Sequence, residues 1–342
     1  MSGYRHGLIG CCLCIAFSFV PVSGASEHSH EHEQHEGLSG PEFSDPSVMV
    51  EMPEAWKSRP LKRTDWAKGA DIALSLDQHL YEALLPIIQQ YGRDHKLDIA
   101  VEEGTCGIAA GRLKDKEADI GGFCCPTDKN DRLPGLSYHT LAIAPVALIV
   151  NPKNPVNGVD METARNIFMG RIALWSQLEP DYPAGAKKPV IRPIGRLHCK
   201  TKPGHWRQLL DNENLFSPRL TEVNEIQDMI AAVAENRDAI GHEVIWMTEN
   251  YNELGRVKTL KLDGMDPRDN SAVVAGRYPL YRVFNISTWS SPTTRSEEAD
   301  ALVAHLMKSM PKVESRYGLI PFNQLRRAGW QFKDDELIGA PK

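Results

Sequence analysis

The feature that most constrains this chain is an alternation of two periodicities that begins at Ala70. Residues 70–76, ADIALSL, form an apolar run of strand length, and QHLYEALLPIIQQYGRDH follows at once with Leu80, Leu84, Ile87, Ile88 and Tyr91 at helical spacing. LDIAVEE is a second strand, GTCGIAAGRLKDKEA a turn and a helix, and DIGGF a short third strand that ends in CCPTDKN. Short apolar strands alternating with helices predict a mostly parallel sheet covered on both faces, hence an α/β fold.

The alternation continues through the rest of the chain. LAIAPVALIVN (residues 141–151) is its most apolar strand, followed by the turn PKNPVNG and the helix DMETARNIFMG. KPVIRPIG then leads into IGRLHCKTKPGHW, residues 194–206, with a helix starting near His205. NEIQDMIAAVAEN carries Ile226, Met229, Ile230 and Val233 on one helical face, and AIGHEVIWM is the next strand. VKTLKLDG and YPLYRVFNIST resume strand character, and EEADALVAHLMKSM and VESRYGLIPF close the fold. No repeat of solenoid length interrupts this order.

Before Ala70 the sequence changes character twice. Residues 1–25 combine Arg5, an apolar run from Leu8 to Val22 and small residues at Ser23 and Ala25, which reads as an export signal cleaved near Ala25. The run is too short for a membrane span, and no later stretch of about 18 apolar residues exists, so stable membrane insertion is not expected. Residues 26–64 form a His/Glu-rich arm, poor in large apolar residues, whose His28, His30, His32 and His35 suit weak metal capture or a plain spacer. Removing residues 1–25 removes one Arg and no acid, which takes the formal charge from −6 to −7 and gives no reason to expect nucleic acid as a partner. What is left, 342 − 25 = 317 residues, exceeds one ordinary core and predicts two domains.

Of seven cysteines, Cys11, Cys12 and Cys14 fall in the signal, leaving Cys106, Cys124, Cys125 and Cys199. In an oxidising compartment four cysteines read as disulfides, with three possible pairings. The adjacent pair Cys124-Cys125 closes on itself only with strain, so each member has its own role or partner. No HExxH, GxSxG, CxxCH or GxxxxGK[ST] pattern occurs, and an enzyme is not expected.

Taken in order, GTCGIAAGRLKDKEADIGG, APVALIVNPKNPVNGVDMETARNIFMGRIALWSQL, VNEIQDMIAAVAENRDAIGHEVI, YPLYRVFNIST and ESRYGLIPF resemble the periplasmic phosphate-binding-protein-like family of solute-binding proteins, the extracytoplasmic partners of ABC importers. The resemblance implies two α/β lobes with mixed, mostly parallel sheets. Lobe 1 would comprise residues 65–144 and 252–335, lobe 2 residues 145–251, with a tail at 336–342 and two interdomain crossover strands. A small ligand would sit in the cleft between them, delivered to an ABC-transporter permease or reported to a membrane sensor from the periplasm. The family's oxyanion contacts map onto Ser75 after the first strand, onto the turn Gly104, Thr105, Cys106 and Gly107, and onto Arg196 and Thr201 at the second lobe's opening. A helix N-terminus after such a turn favours anions, and at Cys106 also a thiolate.

Two departures from that pattern stand out. Cys124-Cys125-Pro126-Thr127 fills the place of the family's acidic residue, and His198-Cys199 interrupts the second-lobe motif. Strand-to-helix loops from both lobes would bring Cys106, Cys124, Cys125, His198 and Cys199 to one cleft. Thiolates with an imidazole suit a soft centre: Cu or Zn, an iron–sulfur cluster or trivalent arsenic. Disulfides around a phosphate-like oxyanion site use the same residues, and a scaffold or redox-linked subunit of an exported complex is a third reading. His205-Trp206 is expected to anchor a turn, and His79, His95 and His305 to lie on helix surfaces, whereas His139 and His242 are equally suited to ligation or to hinge hydrogen bonds.

Overall fold

The computed structural model describes residues 40–180, 182, 189–198 and 204–342. The expected signal, the four arm histidines, Cys199 and Thr201 lie outside the described residues.

Strand β1 (Ile72–Asp77) is buried at every position, as a strand covered on both faces must be. Asp77 caps α1 (Gln78–His95) by accepting the backbone N–H of His79. After β2 (Ile99–Gly104), Thr105 caps α2 (Cys106–Lys114), and β3 (Ile120–Phe123) follows. β1 pairs in parallel with both β2 and β3. A side chain on Gly121 or Gly122 of β3 would lie 2.5 Å from Leu113 or 2.6 Å from Leu76, so glycine lets β3 pack between its neighbours.

The remaining strands of the main sheet are β4 (Leu136–Val150), β5 (Arg192–Gly195), β6 (Thr221–Glu222), β7 (Ala239–Val244), β8 (Lys258–Thr259), β9 (Tyr281–Trp289) and β10 (Ile320–Pro321), and two further two-stranded sheets pair Gly158–Val159 with Lys261–Leu262 and Gln331–Lys333 with Glu336–Gly339. Together the ten form one sheet, ordered β2-β1-β3-β9-β4-β7-β5-β6 with β8 and β10 also on β4. It is mixed: parallel among β2, β1 and β3 and among β7, β5 and β6, antiparallel around β4 and β9.

β4 explains the two-lobed architecture. Its first ten residues pair with β9, whereas Val146–Val150 pairs with β7, so one strand runs through both halves. The return passes through β8, which still pairs with Ile149 and Val150, before the chain re-enters the first half at β9. Helices α3 (Met161–Phe168) and α4 (Ile226–Glu235) cover the second half, and α4 buries Ile226, Met229, Ile230 and Val233, the face its spacing predicts. No described helix is long and apolar enough to cross a membrane.

Candidate functional site

The topology brings two charged residues to the centre of the molecule. β9 begins with Tyr281 opposite Pro145 of β4, and β7 ends with Val244 opposite Val146. Arg282 and Glu243, one residue further into each strand, therefore meet, and Arg282 Nη2 lies 3.4 Å from Glu243 Oε1. Glu243 Oε2 also accepts from Arg196 Nη1 at 3.1 Å, just beyond β5, and Glu243 Oε1 lies 3.2 Å from His79 Nε2. The other ring nitrogen of His79 is 2.6 Å from Asp77, so the α1 cap also orients this imidazole. A buried carboxylate with three cationic partners is the charge balance that burial of such groups requires.

Against this network sits a cluster of thiols. Cys106, the first residue of α2, and Cys124, the first residue after β3, bring their Sγ atoms to 3.3 Å, and the backbone N–H of Cys124 donates to Cys106 Sγ at 3.3 Å. His205 Nε2 lies 3.2 Å from Cys124 Sγ, and Arg282 Nη1 donates to the same sulfur at 3.4 Å. Ligand atoms of Cys106, Cys124 and His205 all fall within 4.8 Å of one another. Cys124 is fully buried and His205 7% exposed. Cys106, Cys124 and Cys125 are free thiols, and 3.3 Å far exceeds the ~2.05 Å of a disulfide.

Two local features hold the thiols in place. The register of β9 against β4 shifts between Phe284 and Asn285. The Asn285 amide there donates to the carbonyl of Cys125 at 2.8 Å, while its oxygen accepts from Thr140 at 2.6 Å, which fixes the Cys124-Cys125 segment. On the opposite side Gly204 packs onto Cys125, where a Cβ would come within 2.7 Å of the sulfur. His205 follows with φ 56°, a left-handed conformation uncommon outside glycine and stored mainly at functional sites.

The protonation pattern follows from these contacts. Burial opposes ionisation of Cys124, but hydrogen bonds from Cys106 and Cys125 and the proximity of His205 and Arg282 hold its thiol well below the usual range. Cys106 is held well above it, first by its hydrogen bonds to Cys124 and Cys125 and then by burial. The thiolate therefore resides on Cys124, not on Cys106 as the helix N-terminus alone predicts. Burial raises Cys125 well above its usual value. Burial and then Arg282 lower the pKa of His205, and the Arg282 guanidinium, 2.6 Å from Nδ1 and 2.8 Å from Nε2, donates to the ring, so a ligand at this imidazole would have to displace it. For His79 burial is outweighed by Asp77, and its pKa rises to about 10. A second grouping, Asp77, His79 and Cys124, is also close enough for a metal, but a protonated His79 bonded at both nitrogens has no lone pair to give.

Several expected site residues are redistributed. Ser75, expected beyond the first strand, lies inside β1 and bonds Glu102 at 3.1 Å, and the strand end facing the cluster is Asp77. Gly104, Thr105, Cys106 and Gly107 do form the turn into α2. Arg196 is buried, but its guanidinium is engaged by Glu243. His198 stands 3.4 Å from Arg196 and is pushed down to about 4 by burial and by that charge, but it is His205 that reaches the thiols. His79, expected on a helix surface, is 1% exposed because the Asp77 cap turns it inward. His95 is exposed and His305 half-buried, both against Tyr91. His139 pairs with Asp335, and His242 is buried edge-on to Phe168 of α3.

Residues 64–306 match the family model of the PBP superfamily domain. The chain belongs to the PBP superfamily. Among solved structures, the substrate-binding protein of a putative phosphate ABC transporter from Clostridium perfringens, with phosphate bound, superposes with a TM-score of 0.62 at 14% identity, covering 73% of this chain and 98% of that one. An ABC-type phosphate transport receptor from Vibrio cholerae gives 0.58 at 22% identity, covering 73% and 99%. The phosphate-binding protein PstS of Bacillus subtilis is 23% identical over 208 residues, 59% of this chain and 64% of that protein. PstS 2 of Streptococcus agalactiae is 29% identical over 83 residues, 24% and 28% of the two chains. The chain thus spans less than two thirds of the length of these curated relatives.

Proposed function

We propose that this PBP-superfamily protein is an exported, periplasmic solute-binding protein, a binder rather than a catalyst. Its interlobe cleft captures a thiophilic ligand through Cys106 and Cys124, with His205 beside them, for delivery to an ABC-transporter permease or a membrane sensor. The lobes are 65–144 with 252–335, and 145–251, and the arm is 26–64. The observation that carries the reading is the thiol pair itself, 3.3 Å apart, with the His205 imidazole 3.2 Å from Cys124 and all three residues buried. Sulfurs at that separation, each ~2.3 Å from one central atom, subtend an angle of about 90°. Tetrahedral Zn would call for a separation of about 3.8 Å on the same bond length. Near-right angles belong to a trivalent pyramidal metalloid such as arsenic(III), the ligand this geometry favours.

Phosphate-like oxyanion binding is the second reading. Two buried guanidiniums, Arg196 and Arg282, favour it, as does the phosphate in the Clostridium perfringens relative. Both guanidiniums are, however, already paired with Glu243, whose carboxylate would face the incoming anion. Equilibrium dialysis of the reduced chain against arsenite and, separately, against phosphate separates the two. Retention of arsenite and not of phosphate supports the thiophilic site. Retention of phosphate that survives Cys106→Ser with Cys124→Ser overturns it.

A further inference from the structure

A cavity of about 190 Å³ adjoins the thiols, with Cys106 and Cys125 in its wall. Gly111 and Leu113 of α2, Phe123 at the end of β3 and Leu136 at the start of β4 line it further. Its size exceeds the ~150 Å³ of an apolar cavity that accepts benzene. A trivalent metalloid held by two sulfurs has one valence left. From the Cys106 side the cavity offers that valence a place for carbon, because Ala110, Leu113, Phe123, Leu133 and Leu136 give it an apolar wall, with its polar part contributed by Lys114, Thr127, Asn130, Asp131 and Tyr138.

Resting on the thiophilic reading above, we infer that the ligand is a mono-organyl trivalent metalloid, its centre bound by Cys106 and Cys124 and its aryl-sized substituent seated in the cavity behind Cys106 and Cys125. The capture is a condensation without redox change. R–As(OH)2, the Cys106 thiol, the Cys124 thiolate and one proton from solvent give R–As(S-Cys106)(S-Cys124) and two waters; each As–O bond is replaced by an As–S bond, one hydroxide leaves with the Cys106 proton and the other with the solvent proton. The substituent sets selectivity because it is the only part of the ligand that differs among members of the class, and the cavity is where that difference is read.

The test compares arsenite, methylarsonous acid and phenylarsonous acid by equilibrium dialysis on the anaerobically reduced full chain, with arsenic quantified on each side. Phenyl is expected to bind at least tenfold tighter than methyl. Gly111→Leu adds bulk at the cavity wall, where a Cβ on Gly111 meets no atom within 4 Å, and leucine favours the helix. That variant, and Ala110→Leu beside it, should lose at least tenfold for the phenyl compound and keep arsenite within threefold. Equal binding of phenyl and methyl, or a Gly111→Leu effect that is the same on arsenite as on phenyl, overturns the inference while leaving the thiol site standing. If none of the three compounds binds, the thiophilic reading falls with it.

Discussion

Glu243→Gln removes the charge on which the buried network converges. The carboxylate is 1% exposed and meets Arg196 at 3.1 Å, His79 at 3.2 Å and Arg282 at 3.4 Å. Burial alone would raise its pKa, but Arg282, His79 and Arg196 hold it well below the carboxylate range, so it is charged throughout the neutral region. Its removal leaves three cations facing only Asp77 and the Cys124 thiolate. Breaking a buried pair in this way costs about 3–5 kcal/mol, which for a chain of this size lowers the melting midpoint by roughly 4–8 °C. Urea unfolding at pH 7 should give that loss, and a cycle with Arg282→Met should return a coupling of at least about 1 kcal/mol, as expected for residues in one network. The folded pKa lies below the unfolded one, so the advantage of wild type over Glu243→Gln is fully present above about 4.5, the ordinary value, and disappears as pH falls through the depressed folded pKa. A loss under about 1 kcal/mol with no coupling would refute the claim that this carboxylate anchors the network.

Other outcomes follow from the same contacts. The folded pKa of His79 is raised from 6.5 to about 10, so the stability advantage of wild type over His79→Gln should be full below pH 6.5 and should vanish as pH rises through about 10; a difference that is flat over that window contradicts the assignment. Gly204→Ala places a Cβ 2.7 Å from Cys125 Sγ and should cost about 1–3 kcal/mol, measurable by thermal melting, whereas Gly264→Ala, open on that side but with φ 76°, tests backbone strain alone. His205→Ala removes the imidazole beside Cys124 and should weaken arsenite binding at least tenfold in dialysis, with His198→Ala changing it less than threefold.

The sheet was legible because its causes are local: β1 is apolar but for Ser75 and its terminal Asp77, β4 is apolar from Leu141 to Val150, and α4 carries its buried face at helical spacing. Topology then made Cys106 and Cys124 predictable, since each opens the loop or helix after a parallel strand. His205 was hidden by its backbone. A left-handed residue after Gly204 redirects the side chain, and no spacing rule marks that conformation at a histidine. His79 reads as a surface position of α1 until its neighbour Asp77, at once cap and ring partner, is placed. Glu243 and Arg282 left a usable signal, a single formal charge inside each of two mostly apolar strands, AIGHEVIWM and YPLYRVFNIST. Such residues are almost never fully buried unless paired, so each implied the other.

The central claim is that sulfur from Cys106 and Cys124 holds the ligand. Arsenic K-edge X-ray absorption of the arsenite-loaded, anaerobically reduced chain reads the bound atom's neighbours directly. The account predicts at least two sulfurs at ~2.3 Å in wild type and the loss of one in either Cys106→Ser or Cys124→Ser. An all-oxygen shell in wild type, or a sulfur shell unchanged in both variants, would contradict it.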